Sequence, residues 1–177
     1  MDMTREIRIE EGKLKVVFEI QENGVVELKQ FDPAGRMDVK ERDRGEEDFY
    51  PITEIQITGR GTRGMHAYKH NVSGGATDFV YQSHEVLENE KGKELVIHTA
   101  TEYGVKGEYH MQFYANVAAV QVWTTLKNEG TEEIGLEYVS SFIYQGLCQS
   151  GEKPYFEKTS IYTPPVSYTH LRAHETK

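Results

Sequence analysis

Cysteine is almost missing from this chain. Cys148 is the only one among 177 residues, so no internal disulfide framework can hold the fold together. Basic residues are also in short supply, 20 Lys and Arg against 29 Asp and Glu. The resulting formal charge of −9 argues against a nucleic-acid binder, whose affinity rests on neutralising phosphates. No apolar run approaches the length of a membrane span. The opening residues, MDMTREIRIEEGK, carry no apolar signal-peptide core. These shortages together lead us to expect a reducing, cytoplasmic compartment and no contact with membrane or nucleic acid. What remains is 37% hydrophobic and 28% charged, a balance that suits a folded domain and not a disordered one. Eleven Tyr and seven Phe favour strands over helices.

Alternation of apolar and polar residues bears this out along the chain. Leu14, Val16, Phe18 and Ile20 alternate with Lys13, Lys15 and Glu19, the pattern of a half-buried strand. Asn23-Gly24 is the strongest short hairpin signal, and Val25 to Phe31 is the expected return strand. Phe49 to Thr58, Thr77 to Leu87, Leu95 to Thr101 and Val105 to Tyr114 read as further strands. In the last of these, Val105, Gly107, Tyr109, Met111 and Phe113 should face inward, and Lys106, Glu108, His110 and Gln112 outward. Arg36 to Asp48 is dominated by charge and reads as a solvated loop.

The longest strand signal runs from Ala115 to Leu147. Ala118, Val120, Val122, Thr124 and Leu126 form one apolar face, with Gln121, Trp123 and Thr125 opposite. Lys127-Asn128-Glu129-Gly130 reads as a turn, and Ile134, Leu136, Tyr138 and Phe142 as the strand after it. A long hairpin at the centre of a sheet is the expectation.

Several motifs invite chemistry. Gly59-Arg60-Gly61-Thr62-Arg63-Gly64 spells G-x-G-x-x-G after a strand, and Asp78 stands where a ribose contact would be. The fingerprint needs a following helix to face the pyrophosphate, and Gly74-Gly75 arrives too soon for one. His66 and His70 lie four apart, but with no helix and no third ligand a metal is not expected. That loop does hold forked donors and rings suited to sugar hydroxyls and pyranose faces. Arg60, Arg63, His66, Tyr68 and His70 are therefore the candidate substrate-binding residues, with an ordinary polar surface loop as the alternative. His98 and His110 could be cross-strand neighbours and read as solvent-facing. Glu137, set among apolar residues, is the most unusual carboxylate, yet glycoside hydrolysis needs two facing acids and no pair declares itself. No catalytic residue, metal or cofactor is assigned.

The end of the chain is VSYTHLRAHETK, preceded by Pro164-Pro165 and by a last strand, Phe156 to Tyr162. It resembles a translated sequencing-adapter segment, so residues 164–177 are expected to be a non-native or disordered tail. Residues 1–163 would then be one incomplete domain.

The run VQVWTTLKNEGTEEIGLEYVSSFIYQGL resembles the N-terminal domain of glycoside hydrolase family 36, the bacterial α-galactosidases. Val120, Trp123, Leu126, Asn128, Gly130, Ile134, Leu136, Glu137, Val139 and Ser141 carry the likeness. Tyr50-Pro51 and the strand after Glu54 fit it more loosely. A Gly-Asp-Phe-Arg-Pro-like pattern that many members carry after Tyr-Pro is not matched, so no binding role is carried over to a named residue. The resemblance implies an all-β fold, an antiparallel β-sandwich forming part of a β-supersandwich. It also implies that both catalytic aspartates sit in a separate (β/α)₈ barrel, used without cofactor and with retention. Expected partners are that missing catalytic barrel, further copies in a homo-oligomer, and an α-galactoside substrate in the full-length protein only. Two other classes stay open: a stand-alone carbohydrate-binding module, which would need an exposed aromatic platform, and a purely structural oligomerisation domain.

Overall fold

A computed structural model describes residues 5–34, 50–61 and 73–144. The segment 36–48, the strand expected at 156–162, the tail, and Arg63, His66, Tyr68 and His70 lie outside the described residues. Strands β1 (Arg5–Glu11), β2 (Leu14–Ile20) and β3 (Val26–Pro33) form a three-stranded antiparallel sheet in chain order. The Asn23-Gly24 turn joins β2 to β3 as its sequence predicts. Gly24 takes a φ of 83°, and the Asn23 side chain accepts the Val25 N–H at 3.0 Å.

A second antiparallel sheet is a four-stranded meander. It comprises β5 (Val80–Asn89), β6 (Gly92–Ala100), β7 (Val105–Phe113) and β8 (Val120–Asn128). The Phe49–Thr58 expectation shrinks to a three-residue strand, β4 (Ile55–Ile57). A 3-10 turn spans Ala76–Asp78, and no α-helix occurs among the described residues.

The two larger sheets meet face to face. Ile7, Ile9, Val16, Phe18, Val26 and Leu28 from the first pack on Leu95, Ile97, Tyr109, Met111 and Phe113 from the second. Phe18 and Tyr109 touch edge to face, ring centres 5.9 Å apart and planes at 72°. That geometry sets the positive edge of one ring against the negative face of the other. Burying one such side chain stabilises the fold by about 1.5–3 kcal/mol. A smaller cluster of Ile55, Ile57, Phe79 and Val105 closes one end. This is the antiparallel β-sandwich that the family resemblance implied, and the inward set on β7 is the one expected from strand alternation.

The long hairpin is not formed. β8 lies at the edge of its sheet among the described residues, and the next strand, β9 (Leu136–Val139), pairs with β4 instead. Non-local contacts divert the chain. Gly130 runs against the β6–β7 turn so closely that a Cβ there would lie 2.4 Å from the Tyr103 carbonyl. The Glu129 N–H is taken by the Gly104 carbonyl at 2.9 Å. Farther on, Ser140 and Glu54 exchange hydrogen bonds, Ser140 N–H to the Glu54 carbonyl and Glu54 N–H to Ser140 Oγ. Local turn chemistry cannot compete with contacts that satisfy otherwise orphaned backbone groups.

Tyr109 is buried with a hydroxyl that has no partner among the described residues. It lines a cavity of about 20 Å³ with Thr53, Thr99 and Thr124, room for one water and nothing larger. Two substitutions separate ring from hydroxyl. Phe18→Ala should cost about 3–5 kcal/mol in urea unfolding. Tyr109→Phe should change stability by less than about 1 kcal/mol, because no direct protein hydrogen bond is lost.

Candidate functional site

Of the five candidate sugar-binding residues, only Arg60 is described. It follows β4, and its side chain is already engaged. The guanidinium lies over the Tyr103 ring, 4.1 Å from its centre, and 3.7 Å from the Asp78 carboxylate. Tyr103 donates its hydroxyl proton to that same carboxylate at 3.2 Å. Asp78, the residue at ribose-contact distance in the glycine motif, thus ties the turn after β4 to the β6–β7 turn. Burial pushes the Tyr103 phenol up to about 12, with the Asp78 charge and hydrogen bond adding to it.

A second constellation stands on the face of the four-stranded sheet turned away from the core. Strand register sets it out in rows. Glu85, Val96, His110 and Trp123 lie across β5 to β8, followed on one side by Ser83, His98, Glu108 and Thr125. On the other side come Leu87, Glu94, Gln112 and Gln121. The His110 imidazole and Trp123 indole are stacked, 4.7 Å between centres and 7° between planes.

Carboxylates and imidazoles alternate beside that stack. His98 Nε2 is 3.2 Å from Glu85, and His98 Nδ1 is 3.6 Å from Glu108. Glu108 reaches His110 Nε2 at 3.5 Å, and His110 Nδ1 meets Glu94 at 3.0 Å. The expected cross-strand neighbourhood of His98 and His110 is real, but they are bridged by Glu108. His110 is also less open than expected, its side chain 14% exposed. Gln112 is buried outright, held by Asn89 and the carbonyls of Lys93 and Phe113. Among the described residues no three His, Cys, Asp or Glu side chains converge as metal ligands.

The carboxylate that sequence reasoning singled out is exposed, for Glu137 points outward on β9. The buried one is Glu54, where one oxygen accepts the Ser73 N–H and the other has no partner among the described residues. A signal existed in Glu54-Ile55, polar beside apolar before a strand, but it resembles many exposed positions. Glu85 and Glu108 are about half exposed on the outer sheet face.

An antiparallel β-sandwich with a polar and aromatic outer face defines the class. Its fold is that of part of the α-galactosidases from Geobacillus stearothermophilus. The chain is similar to the family 36 α-galactosidase AgaA at 14% identity and a TM-score of 0.53, covering 75% of this chain and 23% of that one. Similarity to AgaB is at 13% identity and a TM-score of 0.53, over 75% and 22% of the two chains. An AgaA double variant in complex with raffinose gives 12% identity and a TM-score of 0.53, over 75% and 23%. The chain therefore spans less than a quarter of the length of these structures. No family model and no curated protein matches the sequence.

The Arg60–Asp78–Tyr103 contact makes a pH prediction. A phenol whose proton is held more tightly in the folded than in the unfolded chain stabilises the fold fully below its ordinary value near 10. That stability is lost as pH rises from about 10 through about 12. Denaturant midpoints between pH 9 and 12 should fall, and Tyr103→Phe should make the fall shallower. Tyr109, also raised by burial, supplies the part that remains.

Proposed function

We propose that this chain is the N-terminal accessory β-sandwich of an α-galactosidase that hydrolyses terminal α-galactosides with retention. The single observation behind this reading is the sandwich fold it shares with family 36 α-galactosidases over 75% of its length. On this reading residues 1–163 belong to the accessory domain and 164–177 are a foreign tail. The two catalytic carboxylates come from a barrel outside the sandwich, which needs neither metal nor organic cofactor. The sandwich packs on that barrel and contributes to contacts between copies in a cytoplasmic homo-oligomer. The 60–70 loop, with Arg60, Arg63, His66, Tyr68 and His70, touches substrate at the pocket rim.

Hydrolysis of a synthetic aryl α-galactoside is the direct test. The purified chain alone should give no turnover above the uncatalysed rate. The product of the genomic reading frame extended past codon 165 should encode a barrel and turn the substrate over. Turnover by the chain alone, or an extended frame that stops without a barrel, would contradict the reading.

A further inference from the structure

We propose that the outer face of the β5–β8 sheet binds neutral glycans, with the Trp123 indole as the platform on which a hexopyranose ring stacks. The inference goes beyond the accessory role and needs no catalytic barrel. It begins with the stack itself. Trp123 and His110 stand directly opposite on β8 and β7, and their parallel rings lie about one strand spacing apart. One indole face is thereby taken by the imidazole. The other is turned away from β7, toward the side where β8 ends the sheet among the described residues.

His110 is a positioning residue. Glu94 holds the ring at Nδ1, 3.0 Å away, and Glu108 stands 3.5 Å from Nε2 without a hydrogen bond to it. An indole backed in this way pays little rotamer entropy on stacking a ligand, which is how a weak surface site gains affinity. Along β8 the residues on the same face are Gln121 and Thr125, both exposed. Gln121 also accepts the Tyr114 hydroxyl at 3.2 Å, which leaves its amide N–H groups to a ligand. An aromatic ring flanked by an amide and a hydroxyl matches a pyranose, whose C–H face is apolar and whose rim is hydroxyl.

Charge narrows the class. Glu85, Glu94 and Glu108 share this face with His98 and His110, while Lys106 and Lys127 farther along it are both paired with Glu129. Carboxylates accept hydrogen bonds from sugar hydroxyls and repel uronates and sulfated sugars. The cavity beside Tyr109 is no rival site, for it holds one water at most.

Trp123 is the only tryptophan of the chain, so its emission reports this site directly. The full chain should be titrated with raffinose and maltotriose as neutral probes and with glucuronate as the acidic control. Both neutral sugars should shift the emission saturably, with a Kd of about 0.1–10 mM, and glucuronate should bind at least about tenfold more weakly. By calorimetry, Trp123→Ala should abolish binding and Gln121→Ala should weaken it about three- to tenfold with an unchanged melting curve. Flat emission with both neutral sugars to about 100 mM overturns the proposal. Undiminished binding by Trp123→Ala also overturns it, and if that variant does not fold, unchanged affinity of Gln121→Ala does so. A flat titration leaves the hydrolase reading standing, and an extended frame without a barrel leaves this site standing.

Discussion

Everything else in the molecule depends on the contact between Phe18 of β2 and Tyr109 of β7, where two sheets of separate chain segments meet. Around that edge-to-face pair, Val16 and Leu28 from one sheet and Ile97 and Met111 from the other leave no water-accessible surface worth counting. The attraction is non-directional, but the alternation of the strands makes it selective, since a one-residue slip on β7 would bury Glu108 and His110. At the far end the Lys93–Glu11 pair, 2.9 Å apart, links the same two sheets at the surface, where it adds little energy.

That constraint explains why the outer face of the meander holds its order. With Tyr109, Met111 and Phe113 fixed inward, Glu108, His110 and Gln112 are fixed outward by the pleat. Antiparallel register then brings His98 opposite Glu108 and Trp123 opposite His110. The core thus places the stack, and the stack presents a ring on β8, the edge strand of this sheet among the described residues.

Much of the fold could be read from the residues. Alternation located β2 and the inward face of β7, and Asn23-Gly24 located the first turn, because those signals are local. The destination of β9 could not be read. Chain adjacency favours a hairpin with β8, and the contacts that overrule it join Gly130 to Tyr103 and Ser140 to Glu54, far apart in sequence. The aromatic stack was half legible. Trp123 and His110 each carried the correct face assignment, but only the β7–β8 register makes them partners. Arg60 was legible only as a forked donor suited to sugar hydroxyls; that Tyr103 and Asp78 would engage it depended on a turn forty residues on.

The central claim is that two sheets fold as one body around Phe18 and Tyr109. Native-state hydrogen exchange followed residue by residue tests it most directly. Amides of Val16 to Phe18 and of Tyr109 to Met111 should be the slowest and should open together, with one free energy and one denaturant dependence. If the β1–β3 amides open at lower free energy while β6 and β7 stay closed, the sheets are separate units and the account fails.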